Sequence, residues 1–419
     1  MTNAMLLRVF LPYALGNVLG AFYRTVMAIL APDLIDDLRL GAEELGLLTS
    51  VYFLVFAAAQ LPLGVMLDRY GPRIVTTLTF VVAGLGCLVF SLSHEMAALG
   101  LGRALMGFGM AVALMGGFKA MVDWLPREKI AFGNGIILMA GGLGAMSATL
   151  PVQLALGVTD WRGVFFALGF VTFAVAAVLY FAAPEKPRES HARSVAEIWR
   201  GLRQVFADRS FLANAPLGGV TMGVSMSVNN LWSGPWLRDV MGVPRDEIAH
   251  VLLATTAMMA IAVFFTGSIV ERLARAGIPI LVTACFGIAC FIAMQCMLIA
   301  NPAISPYAIW LPMAFFGTVP VLIYTVLTQS FPHALAGRVN TAYNFVVFVV
   351  GFGAQWAIGA IIDLWPPVAE GRFAPEGYRT ALAVMVCFEI AAFAWLIIGN
   401  RRARARGDNL PGGTNPTSA

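Results

Sequence analysis

The sequence predicts an all-α membrane protein whose twelve transmembrane helices form two pseudo-symmetric six-helix bundles. Three observations carry that reading. Of the 419 residues, 59% are hydrophobic and only 12% charged, a balance outside the range of water-soluble domains of this size. Apolar runs of roughly 20 residues, the length that crosses a bilayer as a helix, recur from one end of the chain to the other. Short motifs of the first half also reappear, in the same order, in the second.

Hydropathy and loop signals place the spans at about 6–31, 44–66, 73–92, 97–120, 131–156, 163–182, 211–234, 247–270, 277–300, 305–328, 340–362 and 378–399. The first run is too long for a signal peptide, and no small-residue cleavage site follows it. The longest hydrophilic connection, 183–210, reads as a cytoplasmic linker, part of which fits a short amphipathic surface helix. It separates an N-terminal bundle, 1–182, from a C-terminal bundle, 211–400. The tail, 401–419, opens on "RRARAR" and reads as basic, disordered and cytoplasmic. With the N-terminus in the cytoplasm, most of the 27 Lys and Arg fall in cytoplasmic loops and tails. The positive-inside rule then puts both termini in the cytoplasm.

The net charge of +4 is spread over short loops and gives no nucleic-acid signature. The five cysteines, Cys87, Cys285, Cys290, Cys296 and Cys387, lie in apolar segments without a CxxC pair and read as reduced packing residues. No GxxxxGK[ST] phosphate loop, HExxH motif or metal-ligand cluster occurs. The expected energy source is therefore an ion gradient, with protons the favoured ion, and no cofactor is expected.

Three internal echoes support the repeat. "LPLGVMLDRYGPRIV" (61–75) aligns with "FFTGSIVERLARAGIPI" (264–280), "LPREKIAFGNGI" (125–136) with "FPHALAGRVNTA" (331–342), and "DWRGVFF" (160–166) with "GYRTALA" (377–383). Related halves are the organisation of secondary transporters, which bind substrate near the midplane between repeats.

Gly64-x3-Asp68-Arg69-x-Gly71-Pro72-Arg73 resembles the loop signature of the major facilitator superfamily, with Pro72 replacing the usual basic residue. Arg103-x3-Gly107-x-Gly109 is similar to that family's helix-four motif. The opening "YRTVMAILAPDL…LGLLTSVYFLVFAAAQLPLGVMLDRYGPR" is most like the branch that carries organic anions and phosphate esters. The resemblance covers essentially the whole chain. It implies alternating access, a functional monomer in the inner membrane, and a loop latch that stabilises one of two states. Physically, Gly64 and Gly71 suit close approach and a tight turn. Asp68 has Arg69, Arg73 or a neighbouring helix N-terminus as candidate partners. The helix-five ending typical of drug/proton antiporters, Gly-Pro-x-x-Gly-Gly, is absent.

One charge stands inside span one. Tyr13, Asn17, Gly20 and Arg24 step by 4, 3 and 4 and share a helix face. A charge at membrane depth requires a wet cavity or a partner. Two readings of Arg24 stand: contact with an anionic substrate, which a guanidinium binds bidentately, or snorkelling toward the interface near Asp33, Asp36 and Asp37. Arg103 fits ion coupling or binding on one reading and a structural pair, such as a backbone carbonyl, on the other. Lys119 reads as snorkelling. In the second half, Thr221, Ser225, Asn229, Trp232 and Trp236 share a face. Asn229 and Asn230 fall near the repeat partner of Arg24, and Asn344, Phe348, Gly351 and Gln355 line another face. Tyr52, Gln60, Asn134, Thr256 and Tyr324 are secondary candidates under the family architecture. Trp232 and Trp236 fit an interfacial belt as well as a ligand stack. Glu389, in the middle of span twelve, is a candidate for carrying a coupled proton, although the family places that helix at the periphery and a neutral structural hydrogen bond is the better reading.

The substrate-site set is thus Tyr13, Asn17, Arg24, Asn229, Asn230, Trp232, Asn344 and Gln355. The gating and coupling set is Gly64, Asp68, Arg69, Gly71, Arg73, Arg103 and Glu389. The sequence reads as a proton-coupled secondary transporter importing a small organic anion. An efflux antiporter, an importer of a neutral aromatic nutrient and a non-transporting membrane sensor remain as alternatives.

Overall fold

The computed structural model describes residues 3–185, 195–300, 305–332 and 335–405. The membrane helices and the linker helix are α1 (Asn3–Thr25 continued by Met27–Leu38), α2 (Ala42–Tyr70), α3 (Pro72–Leu92), α4 (Met96–Trp124), α5 (Arg127–Ala155), α6 (Trp161–Ala182), α7 (Val195–Phe206), α8 (Arg209–Asp239), α9 (Arg245–Arg275), α10 (Ile280–Ala300), α11 (Pro306–Gln329), α12 (Ala336–Ile362) and α13 (Pro375–Ala405). Eleven are long and apolar enough to cross a membrane singly, and α1 makes twelve when its two pieces, bent by 46°, count as one span. The all-helical, twelve-span expectation therefore holds. Of the expected linker and tail, residues 186–194 and 406–419 lie outside the described residues, while 401–405 continue α13.

Five helices are broken in mid-course: α5 at Ala148–Thr149, just before Pro151, and four others, each the first of a group of three. α1 bends at Val26, where Pro32 supplies no N–H for the Ala28 carbonyl. α4 is interrupted at Ala111–Val112. α8 carries a π turn at Val228–Trp232, and α11 a 3-10 turn at Val319–Val321 around Pro320. Such breaks free backbone groups, which is tolerated at membrane depth only inside protein or beside a cavity. The repeat also shows in the turns after α2 and α9, where Gly71 (φ 92°) and Gly277 (φ 85°) take a conformation that favours glycine.

The halves meet chiefly along α2 and α12, which run antiparallel. Glycines set the approach: Gly46 lies against the Gln355 carbonyl, and Gly359 against Ala42. Toward the middle, Phe56 stacks on Phe348 with ring centroids 4.3 Å apart. The face opposite the chain ends, here the far face, is sealed. Arg245 Nη2 meets both oxygens of Asp33 at 2.6 and 2.7 Å. The Asp363 carboxylate accepts from the backbone N–H groups of Ala42 (2.9 Å) and Glu43 (2.8 Å), so it caps the positive end of α2 across the bundle interface. Trp356 Nε1 donates to Glu43 at 3.1 Å. Toward the terminal face, the last polar contact between halves among the described residues is Asn344 to Gln60 at 2.5 Å.

Candidate functional site

The site forms where α1, α2 and α4 of the first half face α8 and α12 of the second. α1 is enclosed by α4, α5, α6 and the π turn of α8, yet Arg24 stays partly exposed. Its guanidinium lies beside the Tyr52 phenol, as does that of Arg103. Arg103 is only 2% exposed. Its Nη2 donates to the Thr49 carbonyl at 3.2 Å, and its guanidinium lies 5.0 Å from the Tyr52 ring centroid. A desolvated cation–π contact of this kind is worth about 2 kcal/mol. Among the described residues, no carboxylate lies within ion-pairing distance of either arginine. Asp33, which snorkelling would have used, is committed to Arg245. Asp37 binds Arg162 at 3.1 Å, and Asp36 lies against Gly371.

The other expected substrate residues divide into two groups. Asn229 and Asn230 sit on the π turn and are partly exposed. Asn229 Nδ2 donates to the Ser225 carbonyl at 2.8 Å, while its buried Oδ1 has no donor. Asn134 on α5 likewise keeps a buried Oδ1 without a donor. Asn344 bridges the halves: it donates to Gln60 and accepts from Tyr324 Oη at 2.6 Å. By contrast, Asn17 is buried and its amide donates to the Ile137 carbonyl at 2.7 Å, tying α1 to α5. Tyr13 is buried near the terminal end of the same stripe. Gln355 donates to Thr49 Oγ1 at 2.7 Å, and its carbonyl accepts from Trp232 Nε1 at 3.1 Å, which makes this pair part of the far-face seal.

Several expectations are corrected. Trp232 and Trp236 are no interfacial belt: they are 2% and 4% exposed and pack edge-on against Tyr378. Lys119 does not simply snorkel, because its Nζ binds Asp68 at 2.9 Å. Asp68 therefore finds a cation on α4 instead of Arg69 or Arg73, since the ends of α2 and α4 lie side by side on the terminal face. Arg69 lies over the Tyr70 ring, and Arg73 over the Tyr180 ring with Glu185 3.5 Å away. Gly71 makes its tight turn, but Gly64 faces open space, so no close approach uses it in this arrangement. Glu389 is fully buried between α13 and α10, where Gln295 Nε2 donates to it at 2.6 Å, away from both arginines.

Sequence reasoning missed Asp363, the Asp33–Arg245 pair and Gln295. The first two act through contacts between residues more than 200 positions apart, which one chain does not display. Gln295 did carry a signal, as a lone amide in an apolar run.

The profile of the Major Facilitator Superfamily matches residues 13–355. The chain belongs to that superfamily. Membership agrees with the membrane-spanning helices described above. Similar facilitators include the hexuronate transporter of Escherichia coli (strain K12), 26% identical over 172 residues, or 41% of this chain and 40% of that one. The probable L-galactonate transporter of the same strain is 30% identical over 168 residues, covering 40% of this chain and 36% of that one. The matches thus span about 40% of the curated relatives' length. Among solved facilitators, a bacterial homologue of the human lysosomal transporter Spinster, inward-facing and unoccupied, superposes over 100% of both chains with a TM-score of 0.81 at 18% identity.

Proposed function

We propose that this facilitator moves a small hydroxylated organic anion, of the sugar-acid type, across the cytoplasmic membrane by alternating access. The observation that carries the proposal is the pair of guanidiniums, Arg24 and Arg103, flanking the Tyr52 phenol with no described carboxylate in ion-pairing range. A membrane-buried cation without a counter-ion is costly, and an entering anion removes that cost. Arg24 is the exposed partner and takes the carboxylate. Arg103, enclosed by Tyr52 and Thr49, contributes field and holds the phenol. The unfilled acceptors on Asn229 and Asn134 suit substrate hydroxyls. The names of the two sugar-acid relatives agree with this chemistry.

In this reading the terminal face is cytoplasmic, both termini included, and the sealed far face is external. Import of an anion against an inside-negative potential costs about 2.3 kcal/mol per charge per 100 mV, so uptake is coupled to protons, whose entry cancels that cost. The working unit is a monomer.

A thermal-shift series on purified protein tests the substrate class, because a ligand that binds the native state raises its apparent stability. A hexuronate is expected to stabilise the wild type and to lose its effect on Arg24→Gln, while the matching neutral hexose has none. Equal stabilisation of both proteins by the hexose would overturn the anion reading.

A further inference from the structure

A cavity of about 670 Å³ opens on the terminal face where α2 of the first half meets α12 and the linker helix α7. Its walls are apolar, from Leu61, Leu202, Phe206, Ala342 and Phe345, but Arg200 and Arg203 also line it. A third guanidinium joins them: Arg338, in the first turn of α12, packs directly over Gly201 of α7. None of the three has a carboxylate within ion-pairing distance among the described residues. Arg338 also stands at the positive end of the α12 dipole. The α7 helix is anchored from below, with Leu202 and Val205 buried against Val339 and Ala342, so the arginines are held at the cavity mouth.

Charge and greasy volume are separated along one axis. The guanidiniums sit at the start of α12. The apolar wall runs inward past Ala342 to Phe345, about 10 Å along the helix from Arg338, and across to Leu61. Leu47, Leu54 and Met66 of α2 and Trp356 of α12 are exposed apolar side chains on the helix pair that forms this wall, and in a membrane protein such residues meet lipid. A soluble anion would fill the mouth and leave the apolar depth empty. A neutral lipid would fill the depth and bring no anion to the three guanidiniums.

We propose that this cavity binds an acidic phospholipid of the surrounding bilayer, its phosphate on Arg200, Arg203 and Arg338 and the upper part of one acyl chain against Phe345 and Leu61. The lipid wedges between the two halves on the face where the described residues make no polar contact beyond Gln60–Asn344. The site is separate from Arg24 and does not depend on the substrate reading.

The test is native mass spectrometry of the full chain released from micelles holding equimolar phosphatidylglycerol and phosphatidylcholine. A preference of at least tenfold for phosphatidylglycerol is expected. A basic residue at an acidic surface contributes about a factor of five, so Arg203→Gln is expected to lower the preference about fivefold. Thr341→Trp, which fills the mouth and leaves every charge in place, is expected to abolish retention and keeps the test independent of the arginine variants' folding. Equal retention of both lipids, or retention unchanged in Thr341→Trp, would overturn the proposal. Displacement of the lipid by millimolar inorganic phosphate would reassign the site to a soluble anion.

Discussion

At the residue scale, the proposed recognition of an anion centres on Arg24. Its stripe of Tyr13, Asn17 and Gly20 was legible from spacing alone, but the stripe proves to serve two purposes. Asn17 holds α1 to α5, and only Arg24 remains partly exposed. Helical periodicity reports which residues share a face and is silent on which neighbour that face meets. Losing a buried charge pair costs about 2–5 kcal/mol, so Arg24→Gln should lower kcat/KM for transport by at least about 30-fold. Arg24→Lys should recover only part of the loss, because an ammonium lacks the bidentate fork. Initial uptake rates in proteoliposomes check both. Asn229→Ala removes one unfilled acceptor and should raise KM roughly tenfold, consistent with about 1–1.5 kcal/mol for a hydrogen bond. Glu389 lies against Gln295, remote from the arginines. Glu389→Gln should therefore leave substrate-driven proton uptake within about twofold of wild type, measured as alkalinisation outside de-energised vesicles.

At the scale of elements, the sequence disclosed the number and order of the spans and the related halves. It hid the breaks. Proline, which removes a helical donor, accompanies four of the five: Pro32, Pro151, Pro235 and Pro320. In α8 the π turn precedes Pro235, whose missing N–H leaves the Leu231 carbonyl without its helical donor, and one extra residue in the turn shifts the register of Asn229 and Asn230 against the rest of the span. The glycines Gly234 and Gly359 let the halves touch backbone to backbone on the far face, against Ala28 and Ala42 respectively. Overpacking of this kind costs typically about 1–3 kcal/mol. Gly359→Leu should accordingly shift the population toward an open far face by about 5- to 150-fold, seen as faster modification of a cysteine at position 229 by an impermeant thiol reagent in a background without native cysteines.

At the scale of the whole molecule, two halves are locked at one face by a small set of polar contacts and joined elsewhere by apolar packing and the Gln60–Asn344 hydrogen bond. Asp33–Arg245 and the Asp363 cap are the strongest polar contacts of the seal. A cap of this type contributes about 0.5–2 kcal/mol relative to alanine, so Asp363→Ala combined with Asp33→Asn should populate the far-face-open state. Spin labels at Val158 and Val368, exposed on opposite halves of that face, would show a new, longer distance. The repeat, the turn glycines and the loop signature made this architecture legible early. The seal was not, because each contact in it joins residues far apart in the chain.

Counterflow in proteoliposomes tests the central claim most directly. Vesicles loaded with unlabelled hexuronate are diluted into labelled hexuronate, without any ion gradient, for wild type and Arg24→Gln, with the neutral hexose as a parallel pair. The expected result is accumulation of labelled acid by the wild type, loss with Arg24→Gln, and no exchange of hexose. Exchange of the hexose, or acid exchange undiminished in Arg24→Gln, would contradict it.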